Sequence, residues 1–133
     1  MKWLGRLLGR REPEPLRGAP AARRQKNYAA ASGYAYEYFY EGYQEDGARR
    51  THRFTVSADR KTWFEMAVIV EERAMQAWAE RHGRALADNE RYAVAKMALF
   101  EAFDERAGPG AVRAGVRVGT EDAERLLGRL GID

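Results

Sequence analysis

The sequence DNERYAVAKMALFEAFDER, residues Asp88–Arg106, decides the fold. It is the longest stretch without Gly or Pro that carries a dense apolar load. Its apolar residues recur at helical spacing: Tyr92, Ala95, Leu99, Ala102 and Phe103. Others widen that face until little of the middle is polar: Ala93, Met97 and Phe100. Other elements have to cover most of the surface of such a helix. The stretch therefore predicts the core helix of a small domain.

The composition limits the chain to one domain and a tail. It has 133 residues, of which 45% are hydrophobic and 32% are charged, which is ordinary for a globular protein. The lack of Cys excludes disulfides, thiolate metal sites and cysteine nucleophiles, and it fits the cytoplasmic location that we expect. No apolar run approaches the roughly 18 to 20 residues that span a bilayer.

The charge is concentrated at the N-terminus. Residues 1–27 hold eight Lys or Arg against two Glu, a net charge of +6, and the remaining 106 residues have a net charge of −3. This asymmetry and the prolines predict a basic tail with a Pro-rich linker over residues 1–27, followed by a single domain over residues 28–133.

The first nine residues, MKWLGRLLG, form a short amphipathic segment. Its apolar residues would share one face of a helix: Trp3, Leu4, Leu7 and Leu8. Basic residues lie around and after it: Lys2, Arg6, Arg10 and Arg11. Three interpretations stay open, namely docking into the groove of a protein partner, contact with an anionic membrane surface, and a frayed terminus whose leucines cover its own domain.

Alternating and helical patterns predict the rest of the domain. The strands are expected at Tyr34–Glu41, His52–Ala58, Trp63–Val70 and Ala111–Val118. Helices are expected at Glu71–His82, at the core stretch and after Thr120. Together these elements predict an α+β fold with a four-stranded, mostly antiparallel sheet and with the helices packed on one face.

The tyrosine-rich strand is the most distinctive feature of the domain. In YAYEYFYE, one side of the strand carries Tyr34, Tyr36, Tyr38 and Tyr40. These rings have three interpretations: they cover the sheet, they form a protein interface, or they stack on nucleic-acid bases or sugar rings.

The order of strands followed by an alanine-rich helix resembles double-stranded-RNA-binding domains. In that family the last helix begins with lysines that contact phosphates. Here the corresponding positions are Asp88, Asn89, Glu90 and Arg91, and an additional helix precedes them. The chain is therefore not assigned to that family.

The remaining patterns favour no specific chemistry. Lys96 lies within the apolar run of the core helix, where a catalytic lysine and a lysine on the helix boundary are the alternatives. His52 and His82 do not form a metal-binding pair, and no glycine-rich phosphate loop is present. We expect neither a cofactor nor enzymatic activity.

The sequence predicts a small non-catalytic interaction or accessory protein, a possible subunit of a larger assembly. It would bind a protein partner through the N-terminal segment and the tyrosine strand. The alternative is a nucleic-acid-binding protein that stacks bases on the four tyrosines and binds phosphates through Arg23, Arg24, Lys26, Arg49, Arg50 and Arg53. Peripheral membrane contact through the N-terminus is a third possibility.

Overall fold

The computed structural model describes residues 15–133, and the protein has an α+β fold, as predicted. The strands of the described residues are β1 (Lys26–Ala29), β2 (Ala35–Glu45), β3 (Arg49–Ser57), β4 (Phe64–Glu71) and β5 (Val116–Val118). The helices of the same residues are α1 (Glu72–His82), α2 (Asp88–Glu105), α3 (Pro109–Val112) and α4 (Thr120–Leu130).

The sheet has five strands over the described residues, so the predicted number of four was wrong. The strand order follows the chain from β1 to β5. The missed strand is β1, whose residues Lys26 and Ala29 pair with Tyr38 and Ala35 of β2. Its sequence, KNYA, has too few apolar residues to predict a strand. It is a strand because its backbone forms hydrogen bonds with β2. β1 begins two residues before the predicted domain start at Tyr28.

Strand β2 continues past Gly42, where the sequence predicts either a bulge or the end of the strand. Tyr40 pairs with Phe54 and Gly42 pairs with Arg53, so Glu41 is the extra residue of a β-bulge. Gly42 has a φ of +116°, a conformation that favours glycine. The bulge lets the strand run on to Glu45, and it places Tyr43 on the same face of the sheet as Tyr40.

The last strand is shorter than predicted and runs parallel to β4, whereas the other three pairings are antiparallel. Residues Pro109–Val112 form the short helix α3 instead of extending the strand. Gly115 then turns the chain with a φ of +81°, at a point where a Cβ atom would lie 2.8 Å from the carbonyl oxygen of Ala67. Only Val116–Val118 are left to pair with β4.

The core lies between the helices and one face of the sheet. Helix α2 is confirmed as the core helix, and its buried residues are Val94, Ala95, Ala98, Leu99, Ala102 and Phe103. The tyrosine face of β2 packs against this helix. Tyr36 stacks on Phe103 with ring centroids 4.1 Å apart, and Tyr28 of β1 stacks on Phe100 at the same distance. Tyr36 and Tyr38 are therefore core residues.

Two tyrosines of this face, one buried and one half-buried, predict different effects of removing a hydroxyl group. The Tyr36 hydroxyl is buried and has no hydrogen-bond partner among the described residues. Tyr36→Phe is therefore expected to leave the free energy of unfolding unchanged or to raise it by about 1 kcal/mol. The Tyr28 hydroxyl donates to the Asp104 carboxylate at 2.8 Å. Tyr28→Phe is expected to lower the free energy of unfolding by about 1–2 kcal/mol.

Urea denaturation of the two variants and the parent chain measures both effects. Each change removes one oxygen atom from a ring stacked on a phenylalanine of α2, so each variant is the control for the other. A loss of stability in Tyr36→Phe as large as that in Tyr28→Phe would contradict the packing described here.

Candidate binding cleft at the edge of the sheet

Residues 15–25, which we call the strap, run along the outer edge of β2. The Arg17 N–H donates to the carbonyl of Tyr43 at 2.9 Å, and the Tyr43 N–H donates to the carbonyl of Arg17 at 2.8 Å. The next pairing along the edge joins Lys26 to Tyr38. Between these two points eight residues of the strap, 18–25, face only four residues of β2, 39–42. The strap therefore bows away from the sheet and leaves space beneath it.

Close packing and an ion pair hold the strap to the sheet near the two ends of this bow. A Cβ atom on Gly18 would lie 2.7 Å from the ring of Tyr43, and one on Gly42 would lie 2.5 Å from the carbonyl oxygen of Arg17. Both positions accept only glycine without a shift of the strap. The guanidinium of Arg23 binds both carboxylate oxygens of Glu41 and lies 3.8 Å from the centroid of the Phe39 ring. The strap is thus held to the sheet although its residues are exposed.

Two neighbouring cavities lie where the strap bows, and we call them together the cleft. The first has a volume of about 400 Å³ and the second about 320 Å³. They share four lining residues: Pro20, Lys26, Tyr40 and Tyr92. Gly18, Tyr43 and His52 line the first cavity, whereas Ala22, Arg24 and Tyr38 line the second.

Aromatic rings form the walls of the cleft. Tyr40 and Tyr92 have ring centroids 4.6 Å apart and meet at 53°. On the other side, the Arg50 guanidinium lies 3.9 Å from the centroid of the Tyr43 ring. Burial raises the pKa of the Tyr40 and Tyr92 phenols above the ordinary value, so both are neutral at physiological pH. The walls therefore combine flat apolar surfaces with neutral hydroxyl groups.

His52 is a buried polar residue beside the cleft. Its side chain is only 1% exposed, and its Nδ1 lies 2.8 Å from the Tyr40 hydroxyl. Within residues 15–133, its Nε2 is buried without a hydrogen-bond partner. Burial, together with the nearby charges of Arg50 and Arg91, lowers the pKa of His52 to about 3. The ring is therefore neutral, with one nitrogen bonded to Tyr40 and the other left unpaired.

The charges around the cleft are unequal. Arg50 is balanced by Glu45 at 2.8 Å and by Asp88 at 3.2 Å. Three other cations have no ion-pair partner in the described part of the chain: Arg24, Lys26 and Lys96. The ammonium of Lys96 lies 6.0 Å from the Tyr92 ring centroid, and its pKa is lowered by burial and then by the charge of Lys26. Lys26 and Lys96 thus repel each other beside the cleft.

The predicted contact residues do not lie together in the structure. The N-terminal contact residues lie outside the described residues: Trp3, Leu4, Arg6, Leu7, Leu8, Arg10 and Arg11. Tyr34 is 40% exposed, Tyr36 lies in the core, Tyr38 is 2% exposed, and Tyr40 lines both cavities. The binding role of these residues stays a prediction. Of the four tyrosines, Tyr38 and Tyr40 line the cleft, and of these two Tyr40 is half-buried whereas Tyr38 is buried.

Sequence reasoning missed three residues of the cleft: Tyr43, His52 and Tyr92. Tyr43 has a signal in Gly42, because a bulge at that glycine turns Tyr43 to the side of Tyr40. His52 alternates with Phe54 and Val56, so its burial on the helix side follows from the strand pattern. Tyr92 was predicted only as part of the apolar face of α2.

The basic residues considered for phosphate binding divide into two groups. Four of them pair with carboxylates: Arg23 with Glu41, Arg49 with Asp46, Arg50 with Glu45, and Arg53 with Glu65. Of these six, Arg24 and Lys26 have no ion-pair partner over residues 15–133. Arg24 and Lys26, which were considered for phosphate binding, also line the cleft.

Other features of a site can be stated only for the part of the chain that the structure describes. There, no group of three or more His, Asp or Glu side chains is arranged to hold a metal ion. In that same part, no helix is both long and apolar enough to cross a membrane.

Comparisons with protein-family models, with curated proteins and with solved structures found no match. The resemblance to double-stranded-RNA-binding domains therefore gains no support from them.

The depressed pKa of His52 predicts how the protein responds to acid. The unfolded chain binds a proton at His52 near pH 6.5, whereas the folded chain does so only near pH 3. Folding stability from this group is therefore fully present above pH 6.5 and is lost as the pH falls towards 3, by up to about 1.4 kcal/mol per pH unit.

The imidazole resonance of His52 tests this directly by NMR. His82→Gln leaves His52 as the only histidine, so the remaining signal is assigned without ambiguity. We expect no titration of this signal between pH 8 and about pH 4. A midpoint near the ordinary value of 6.5 would contradict the burial of the ring.

The close contact between Gly42 and the strap predicts that a larger residue at position 42 would detach the strap from β2. Gly42→Ala adds a Cβ atom against the Arg17 carbonyl, whereas Gly47→Ala adds one where no atom lies within 4 Å. Both glycines have a positive φ, so both changes cost about 1–2 kcal/mol of backbone strain. Only Gly42→Ala should also lift the strap.

Limited proteolysis with trypsin separates the two effects. We expect faster cleavage after Arg23 and Arg24 in Gly42→Ala than in Gly47→Ala, under conditions in which both variants remain folded. Equal cleavage rates would mean that the contact does not hold the strap.

Proposed function

We propose that this chain is a small non-catalytic interaction or accessory protein of the cytoplasm, a subunit of a larger assembly. It docks on a protein partner through its N-terminal segment and the tyrosine-rich end of its sheet. The observation that carries this proposal is the pairing of Arg17 with Tyr43. This pairing places Arg17 beside the aromatic cleft. The predicted contact residues of the N-terminal segment precede Arg17 in the sequence, so the chain that leads to them passes beside the cleft.

The exposure of the cleft residues supports this proposal. The strap is exposed throughout, and Leu16 is one of two large exposed hydrophobic side chains among the described residues. Tyr40, Tyr43 and Tyr92 are half-buried beside it. Tyrosine and arginine are enriched at protein interfaces, where an apolar body and a polar tip contact the partner together. In this proposal Tyr36 and Tyr38 hold β2 in place from the core.

A second candidate is nucleic-acid binding, which Arg24 and Lys26 favour because neither has an ion-pair partner within residues 15–133. Four of the six basic residues considered for phosphates are already paired with carboxylates, and that weighs against this candidate. The two candidates differ in salt dependence. Phosphate contacts weaken steeply as salt rises, whereas apolar docking does not.

The positions of the strap and β1 decide which truncated chain can test the proposal. A chain that begins at Tyr28 would lose the strap and the first half of β1. A chain that begins at Pro15 lacks the predicted amphipathic segment and the first residues of the predicted linker, and it keeps the strap. We would place a photo-crosslinking residue at Leu16 in the intact chain and in the Pro15 chain, and at the exposed loop residue Lys61 as the control.

We expect one protein from an extract of the source cells to crosslink at position 16 of the intact chain. It should do so at low and high salt, and it should be lost from the Pro15 chain and from the control position. Nucleic acid recovered only at low salt would favour the second candidate. Cosedimentation of the intact chain alone with anionic vesicles would favour membrane contact. Equal crosslinking at positions 16 and 61 would contradict docking at the cleft.

A further inference from the structure

We propose that the cleft is a binding site for a small organic anion, one that joins a planar apolar body to a carboxylate, sulfonate or phosphate group. This goes beyond the proposed function, because the site requires no partner protein. Four observations support it: the size of the cleft, its aromatic walls, its excess of positive charge and the unpaired nitrogen of His52.

The size of the cleft fits a ligand of one to three rings. Its larger cavity, of about 400 Å³, lies in the range of small-molecule sites, roughly 300–1,000 Å³. The second cavity continues it past Tyr40 and Tyr92 towards Arg24. The space results from the excess of strap residues over the strand that they face, so it does not need a side chain to move.

The walls suit a planar apolar body. Tyr40 and Tyr92 contact each other at one side, and Tyr43 lies under the Arg50 guanidinium at the other. Aromatic faces bind flat rings by stacking, and Pro20 of the strap adds a further apolar surface. Burial raises the pKa of Tyr40 and Tyr92, so neither of these two phenols carries a charge at physiological pH that would repel an anion.

The charge balance selects an anion over a neutral or cationic ligand. Lys26 pairs with Tyr38 on the helix side of the sheet, and Arg24 lies two residues before it on the same side of the strap. Lys96 approaches from α2 and interacts with Lys26. None of these three cations has a carboxylate partner in residues 15–133, while the one carboxylate that lines the first cavity, Asp88, is paired with Arg50. An oxyanion placed beside Lys26 would relieve their repulsion.

His52 supplies the polar group that fixes orientation. A buried imidazole nitrogen without a partner is costly, and such groups in a cavity commonly await a ligand or a water molecule. Its bond to Tyr40 links it to the wall that the ligand would contact. A ligand that bonds to the Tyr40 hydroxyl would extend this network into the cleft.

The N-terminal segment of the chain is the competing occupant, because it is attached at Pro15 and carries Trp3 and three leucines. Its charge disfavours this arrangement. Residues 1–14 contain four basic and two acidic side chains, and they would bring further positive charge to a cleft that already has an excess of it. A small anion has the complementary charge.

The test uses anilinonaphthalene sulfonate, a fluorescent aromatic anion, and N-phenylnaphthylamine, its neutral analogue. We expect the anion to bind the intact chain at a single site and more tightly than the neutral analogue does. Lys26→Gln combined with Arg24→Gln should weaken binding of the anion about tenfold or more and leave binding of the neutral analogue within about twofold. Lys61→Gln removes one positive charge at an exposed loop position away from the cleft and should change neither affinity.

A second variant locates the apolar body. Tyr92→Leu removes a wall and should weaken both probes, and its folding is checked by circular dichroism. If Tyr92→Leu fails to fold, the exposed Lys26 and Arg24 variants still decide the question. Equal loss of both probes in the Lys26 and Arg24 variant, or an equal effect of Lys61→Gln, would overturn the proposal. Markedly tighter binding of the anion by the chain beginning at Pro15 would also overturn it, since it would assign the cleft to the N-terminal segment.

Discussion

The stacking of two tyrosines of the sheet on two phenylalanines of α2 is the interaction on which the other features depend. Tyr28 on Phe100 and Tyr36 on Phe103 join β1 and β2 to the core helix with ring centroids 4.1 Å apart. Because strand side chains alternate, this contact decides which face of β2 meets the helices along its whole length. It therefore commits Tyr38 to the core and places Tyr40 at the margin where the helix layer ends.

The bulge at Glu41 and Gly42 then changes which side chains of the end of β2 lie on the helix side of the sheet. Without it, Tyr43 would fall on the opposite face from Tyr40. With it, Tyr40 and Tyr43 share the face of His52, and Gly42 leaves room for the carbonyl of Arg17. The position of Tyr43 in the cleft wall and the close approach of the strap at Gly42 are thus consequences of one inserted residue. The aromatic stacks had already set the orientation of that strand.

The sequence predicted the elements with strong periodicity and missed those that depend on pairing. The α2 helix and the strands β2, β3 and β4 follow from apolar spacing, and so does the α+β class. β1 could not be predicted from KNYA, because its hydrogen bonds to β2 define it rather than its side chains. Ala111–Val118 alternates as a strand should, but the turn at Gly115 against Ala67 leaves only its last three residues for the sheet.

The candidate site was less predictable than the fold for a related reason. Tyr40 was recognised from its strand, whereas Tyr92 comes from a helix and Lys26 from a segment interpreted as linker. Their proximity depends on the difference in length between the strap and the part of β2 that it follows, and that difference is visible only once both pairings are known. The residue types alone indicate aromatic stacking surfaces and cations. They do not indicate which of these side chains lie close together in the folded chain.

The parallel pairing of β4 with β5 has a consequence for synthesis on the ribosome. The outer edge of β4 pairs only with Val116–Val118, which follow Val70 by more than forty residues and two long helices. A nascent chain that has emerged as far as α2 therefore has a complete antiparallel meander with an open edge, and the buried Val118, Leu126 and Leu127 are still missing. The edge of β4 is therefore covered only after Val116–Val118 have emerged, so the parallel pairing forms after the antiparallel meander.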